Sequence, residues 1–194
     1  MALSLPRIAI YAVVSAVAGT MLDRIHTFFG VLRQLGPTFC GESLAVPFLM
    51  SGAGVALVVL SGLFRVHFGQ AADGTTRGAI TFGAGFAGAY LASAAFQCWP
   101  LCLLGGYALV AALLLVRDHR PARVAIVMTA ALLGTIGEIL LTHFHSFEYL
   151  HPDVCGIVYW TPGLYWFAGF AGSAIEGRWP VIAPSAVRAP VAGG

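Results

Sequence analysis

The chain has 194 residues, 59% of them hydrophobic and only 9% charged, with a mean hydropathy of +0.86 and a formal net charge of +2. A soluble domain is far more polar, so lipid must solvate most of this chain, and the length leaves room for one polytopic domain. The small, dispersed charge excludes a nucleic-acid-binding surface.

The sequence contains neither Lys nor Asn and is rich in Ala, Gly, Arg and Val, a bias that suggests a bacterial, GC-rich genome. Apolar segments run over Ile8–Phe28, Ser43–Phe64, Ala79–Gln97, Pro100–Val116, Arg123–Thr142 and Ile157–Ile175. Each approaches the ~20 residues that a helix needs to cross the hydrocarbon. The expected fold is therefore all-α, a membrane bundle of six transmembrane helices over residues 1–180, followed by a short flexible cytoplasmic tail, 181–194. No A-x-A-type cleavage site follows Ile8–Ala18, so the first run reads as a retained helix. Asp23, Arg24 and His26 interrupt it and predict either an early end or a stretch lying in the interface. Pro47 predicts a kink in the second helix. Only Cys98-Trp99-Pro100 separates the third from the fourth, which predicts a tight helical hairpin.

With the N-terminus inside, the inner joints hold Arg7, Arg65, Arg77, Arg117, Arg120, Arg123, Arg178 and Arg188, and the outer joints only Arg24 and Arg33. This positive-inside bias places both termini in the cytoplasm and the chain in a bacterial cell membrane.

Glu138 is the one carboxylate in the fifth apolar segment, on a small, polar stripe with Ala131, Gly134, Thr135 and Thr142. An ionisable group there is costly, so it faces either a neighbouring helix or a cavity. The third helix carries small residues, Thr81, Gly85, Gly88 and Ala92, on one side. They allow either close helix packing or a slot walled by Phe82, Phe86 and Tyr107. An amphipathic lipid would need such a slot for its tail and a polar contact for its head, which Thr135 and Glu138 could supply.

His143, His145, Glu148, His151 and Asp153 match no metal signature, and no metal or cofactor is expected. Cys40, Cys98, Cys102 and Cys155 fall near the outer face, where one or two disulfides could form. Cys98 and Cys102 are spaced C-x-x-x-C, not the C-x-x-C of thiol exchange. Pro152-Asp153, followed by Trp160-x-Pro162, predicts a turn and an aromatic anchor at the membrane surface.

The order Pro152-Asp153, Trp160-x-Pro162, Phe167-Ala168-Gly169 and Gly177-Arg178 resembles that of the insulin-induced gene (Insig) family. So do Val46-Pro47, Ala92-Ser93-Ala94 and Arg117-Asp118-His119-Arg120, and the resemblance covers nearly the whole chain after Ala45. Members of that family are six-helix endoplasmic-reticulum proteins that bind oxysterols and retain the sterol-sensing chaperone Scap. By position, the resemblance implies a lipid site lined by Leu49, Met50, Phe86, Leu101 and Leu114, and a partner contact at Asp118. Two features depart from the family. Leu101 falls near a sterol-contacting Gln, and Glu138 stands where small or amide side chains occur.

Together these readings give a non-enzymatic, regulatory lipid-binding protein, its ligand sterol-like or diacylglycerol-like. A membrane-protein partner and homo-oligomer formation are both compatible with the sequence. The alternative is a membrane thiol–disulfide oxidoreductase using the outer-face cysteines.

Overall fold

The computed structural model describes residues 3–39 and 41–182. Six helices follow in order: α1 (Leu5–Phe28), α2 (Val46–His67), α3 (Thr76–Ala95), α4 (Pro100–Arg117), α5 (Pro121–His143) and α6 (Thr161–Arg178). All but α3 have a proline in the first turn. There the missing N–H has no intrahelical partner to lose. Pro47 therefore starts α2 and does not kink it. Thr75 caps α3 instead, its hydroxyl accepting from the Gly78 amide at 3.0 Å. α1 is not broken at Asp23. It continues to Phe28 and ends on Gly30, whose positive φ of 65° suits glycine.

Five helices, α1 to α5, are long and apolar enough to cross a membrane. α6 is the exception by composition and the centre by position. It packs against α2, α3, α4 and α5, while α1 lies outside on α2 and α3. Ala168 to Gly172 are buried without a break, so every face of α6 is covered there. A helix enclosed by protein need not be as apolar as one facing lipid.

Close approach to α6 rests on its glycines. A Cβ on Gly163 would stand 2.6 Å from Tyr107 and one on Gly169 2.6 Å from the Val127 backbone, while one on Gly172 would collide with the Leu57 side chain. The turn between α3 and α4 is as short as expected, but the helices part from it and barely touch.

Seven of the inner-joint arginines stand on helix ends or loops that alternate to one end of the bundle. Contacts between them and other elements bear this out: Arg65 pairs with Glu176, Arg178 Nε bonds Thr76 Oγ1 at 2.9 Å, and Arg120 reaches Asp73. Leu3 and Ile182 form a bridge there, so the first and last described residues share that end. Arg188 lies outside the described residues, as does the tail from 183. Val181 and Ile182, assigned to the tail by sequence, are buried at 0% and 1% exposure.

The opposite end carries the loops. β1 (Leu32–Gln34) pairs antiparallel with β4 (Phe147–Tyr149), and β2 (Thr38–Phe39) pairs with β3 (Glu42–Ser43) in a small hairpin. The residues from Ile157 to Trp160 precede α6 and do not belong to it. Trp160 is fully buried, not a surface anchor.

Candidate functional site

The stripe on α5 turns towards α6 and β4. Gly134 admits the Tyr165 ring, which occupies the space that a Cβ would need. One turn further on, Glu138 Oε1 accepts from the Tyr165 hydroxyl at 2.7 Å, and Oε2 accepts from the Tyr149 hydroxyl at 3.1 Å. Tyr149 reaches this position because β4 is registered on β1, with Leu32 opposite Tyr149.

From Tyr149 a chain of aromatic contacts crosses the bundle. Tyr149 meets Trp160 edge-on at 6.1 Å, Trp160 meets His26 at 5.3 Å, and His26 stacks on Tyr90 at 4.7 Å. His26 Nε2 lies 2.8 Å from Ser93 Oγ, and Ser93 gives its proton to the Tyr90 carbonyl. A hydroxyl has one hydrogen, so His26 Nε2–H is the donor of that pair. Both residues are nearly inaccessible, which makes the pair a structural bond between α1 and α3.

Two buried polar atoms in this region have no protein partner, Thr135 Oγ1 and Trp160 Nε1. Nearly all buried polar groups are hydrogen-bonded, so such atoms mark places for water or a ligand group. Glu138 and Tyr165 are half-buried and keep some accessible surface. The arrangement offers hydroxyls and an indole N–H inside an apolar bundle.

Of the residues anticipated from sequence, Thr135 and Glu138 belong to this polar centre. Phe86 stands beside it, edge-on to Tyr90 at 5.3 Å. Phe82 stacks on Phe170 at 5.8 Å and, like Leu114, belongs to the core towards the arginine-rich end. Met50 packs on Gly19 of α1, Leu49 is half-exposed and Leu101 faces outward at 65% exposure. Gly85 is exposed, and a Cβ there would meet nothing within 4 Å. His26, Tyr90, Ser93, Tyr149 and Tyr165 were not anticipated. The signal for His26 was its position in an apolar run, which reads equally as a helix end.

At the arginine-rich end, Arg120 Nε and Nη2 each donate to Asp118 at 2.8 Å, and Arg123 Nη1 donates to it at 2.5 Å. Arg120 also binds Asp73 at 2.6 Å. The Arg120 hydrogen bonds, with Arg123 nearby, hold the Asp118 carboxyl below its ordinary range. Arg120 is correspondingly raised, chiefly by Asp118 and then Asp73.

In the loops, Glu148 pairs with Arg33, and Asp153 Oδ2 accepts from the Tyr159 amide at 2.9 Å. Among the described residues, no three His, Cys, Asp or Glu side chains gather as metal ligands. Cys98, Cys102 and Cys155 are free thiols. Cys40 lies outside the described residues.

No protein-family model matches the chain, and no curated protein sequence matches it. Solved structures do. The mycobacterial Insig homologue MvINS from Mycobacterium vanbaalenii superposes with a TM-score of 0.81 at 21% identity, covering 95% of this chain and all of that one. A cross-linked trimer of an MvINS variant matches with a TM-score of 0.79 at 22% identity, over 91% of this chain and 95% of that one. The chain therefore has the Insig-like membrane fold of MvINS.

Proposed function

We propose that the protein is a non-enzymatic, regulatory membrane protein that holds an amphipathic lipid, sterol-like or diacylglycerol-like, inside the bundle. One observation carries this reading: the Thr135 hydroxyl and the Trp160 indole N–H are buried without a protein partner beside the Glu138–Tyr165–Tyr149 group. A lipid hydroxyl or ester oxygen would satisfy them, and Phe86 with the small residues of α3 would receive its tail. Glu138 then fixes the two tyrosines that shape the polar floor. The arginine bias supports a bacterial cell membrane with cytoplasmic termini. The likeness to a trimeric MvINS supports homo-oligomerisation. Asp118 locks the loop between α4 and α5 through Arg120 and Arg123, so a protein partner would read the shape of that loop. The absence of a C-x-x-C pair and the lone thiols of Cys98, Cys102 and Cys155 favour this reading over a thiol–disulfide oxidoreductase.

Mass spectrometry of lipid co-purified in mild detergent tests it. The wild type should carry one amphipathic lipid per chain. Thr135→Val removes a hydroxyl with no protein partner, so it should leave thermal stability unchanged and weaken lipid retention. A Gly85→Leu variant should fold and lose lipid. Stoichiometric lipid in both variants would place the ligand elsewhere. Cysteine-dependent quinone reduction by the purified protein would favour the enzyme.

A further inference from the structure

After α1 the chain forms β1, turns through the β2–β3 hairpin and enters α2. Asp23, near the end of α1, and Glu42, the first residue of β3, meet beneath this segment at 9% and 5% exposure. Gln34 of β1 sits between them, its Nε2 donating to Asp23 Oδ2 at 3.0 Å and to Glu42 Oε2 at 3.3 Å. Both carboxyls therefore crowd one amide nitrogen. Glu42 Oε1 is buried without any partner.

No guanidinium neutralises the pair: among the described residues, neither acid forms a salt bridge. The groups facing it are Glu138 of α5, Tyr90 of α3 and Tyr149 of β4. His26, one turn on, is engaged with Ser93. Arg24 is exposed. α2 and α6 carry their charges, Arg65, Glu176 and Arg178, at the other end of the bundle.

Ionised carboxylates only accept hydrogen bonds, so one of these two can donate to the other only when it holds a proton. Two adjacent buried carboxyls cannot both ionise without strong repulsion, and one neutral amide does not offset it. We infer that Asp23 and Glu42 share a single proton, and that this proton clasps the β2–β3 hairpin to α1, so that its loss releases the hairpin. In the released form both acids reach water and ionise in the ordinary range. The clasped form therefore binds more protons near neutral pH, and raising the pH favours release. For one proton the opening constant rises at most about tenfold per pH unit. β3 leads directly into α2, with Ser43 Oγ accepting from the Ala45 amide at 3.2 Å, so release also loosens the first turn of α2. This device does not depend on the lipid reading.

Hydrogen exchange of the full chain in nanodiscs between pH 5 and 9, corrected for the intrinsic exchange rate, tests the clasp. Protection of residues 38, 39 and 41–45, read against α6 as an internal standard, should fall with rising pH by up to about tenfold per unit. Asp23→Asn places an amide donor opposite the Glu42 carboxylate and should make that protection independent of pH. Glu42→Gln should do the same from the other side and serves if the first variant does not fold. Flat protection in the wild type would overturn the inference. So would protection restored at high pH by calcium, which would make the pair a cation site.

Discussion

The Tyr165 hydroxyl on α6 donates to Glu138 Oε1 on α5 at 2.7 Å, inside the bundle. Removing the donor leaves a buried oxygen short of a partner, which costs ~1–3 kcal/mol. Tyr165→Phe should therefore lower the unfolding temperature in mild detergent. Glu138→Gln keeps an acceptor for one tyrosine and should lower it less. Equal stability of Tyr165→Phe and wild type would mean that water replaces the tyrosine.

Two glycines separate helix packing from open space. A Cβ on Gly134 would collide with the Tyr165 ring, while one on Gly85 meets nothing within 4 Å. Gly134→Ala should destabilise by ~1–3 kcal/mol through overpacking. Gly85→Ala should stay within about 0.5 kcal/mol of wild type. Thermal unfolding of the two variants side by side checks the contrast.

Arg65 and Glu176 form a buried two-point pair at 2.9 and 3.0 Å, and Arg65 also donates to the Ile182 carbonyl at 2.8 Å. Losing one partner strands the other charge, so Arg65→Met should cost ~3–5 kcal/mol. Arg65→Met combined with Glu176→Leu should recover much of that loss, as measured by unfolding of the single and double variants.

Asp118 gives a pH signature. Its folded-state pKa lies below the ordinary 3.8, chiefly because Arg120 hydrogen-bonds the ionised form. The stabilisation is therefore complete above the unfolded-state value and is lost as pH falls through the lower folded-state value. Asp118→Asn should flatten the stability profile below about pH 4. It should leave lipid occupancy unchanged and weaken any partner recovered by crosslinking. An unchanged acid profile would mean that Asp73 alone holds Arg120.

The helices were legible because a membrane imposes length and apolarity together, and Pro47, Pro100, Pro121 and Pro162 mark starts in the first turn. The common end of the arginines was legible for a related reason: short connections force successive helices to alternate. Sequence also singled out Glu138, since one acid in an apolar run needs a partner. It could not name Tyr149 and Tyr165 as those partners, because neither periodicity nor spacing relates them to Glu138. The first arrives through the register of β4 on β1, the second through the contact between α5 and α6.

Sequence set Ile157–Ile175 beside the other five segments as a lipid-crossing span and made Trp160 a surface anchor, because both readings assume that a helix or an aromatic faces lipid or water. Tertiary packing decided otherwise: four helices close around α6, and they bury Trp160 with it. The same holds for Asp23 and Glu42, which are nineteen positions apart in sequence. Sequence alone therefore determined which segments leave water. Folding determined which polar groups those segments carry into contact, because that depends on the order of helices around α6 and not on any one segment.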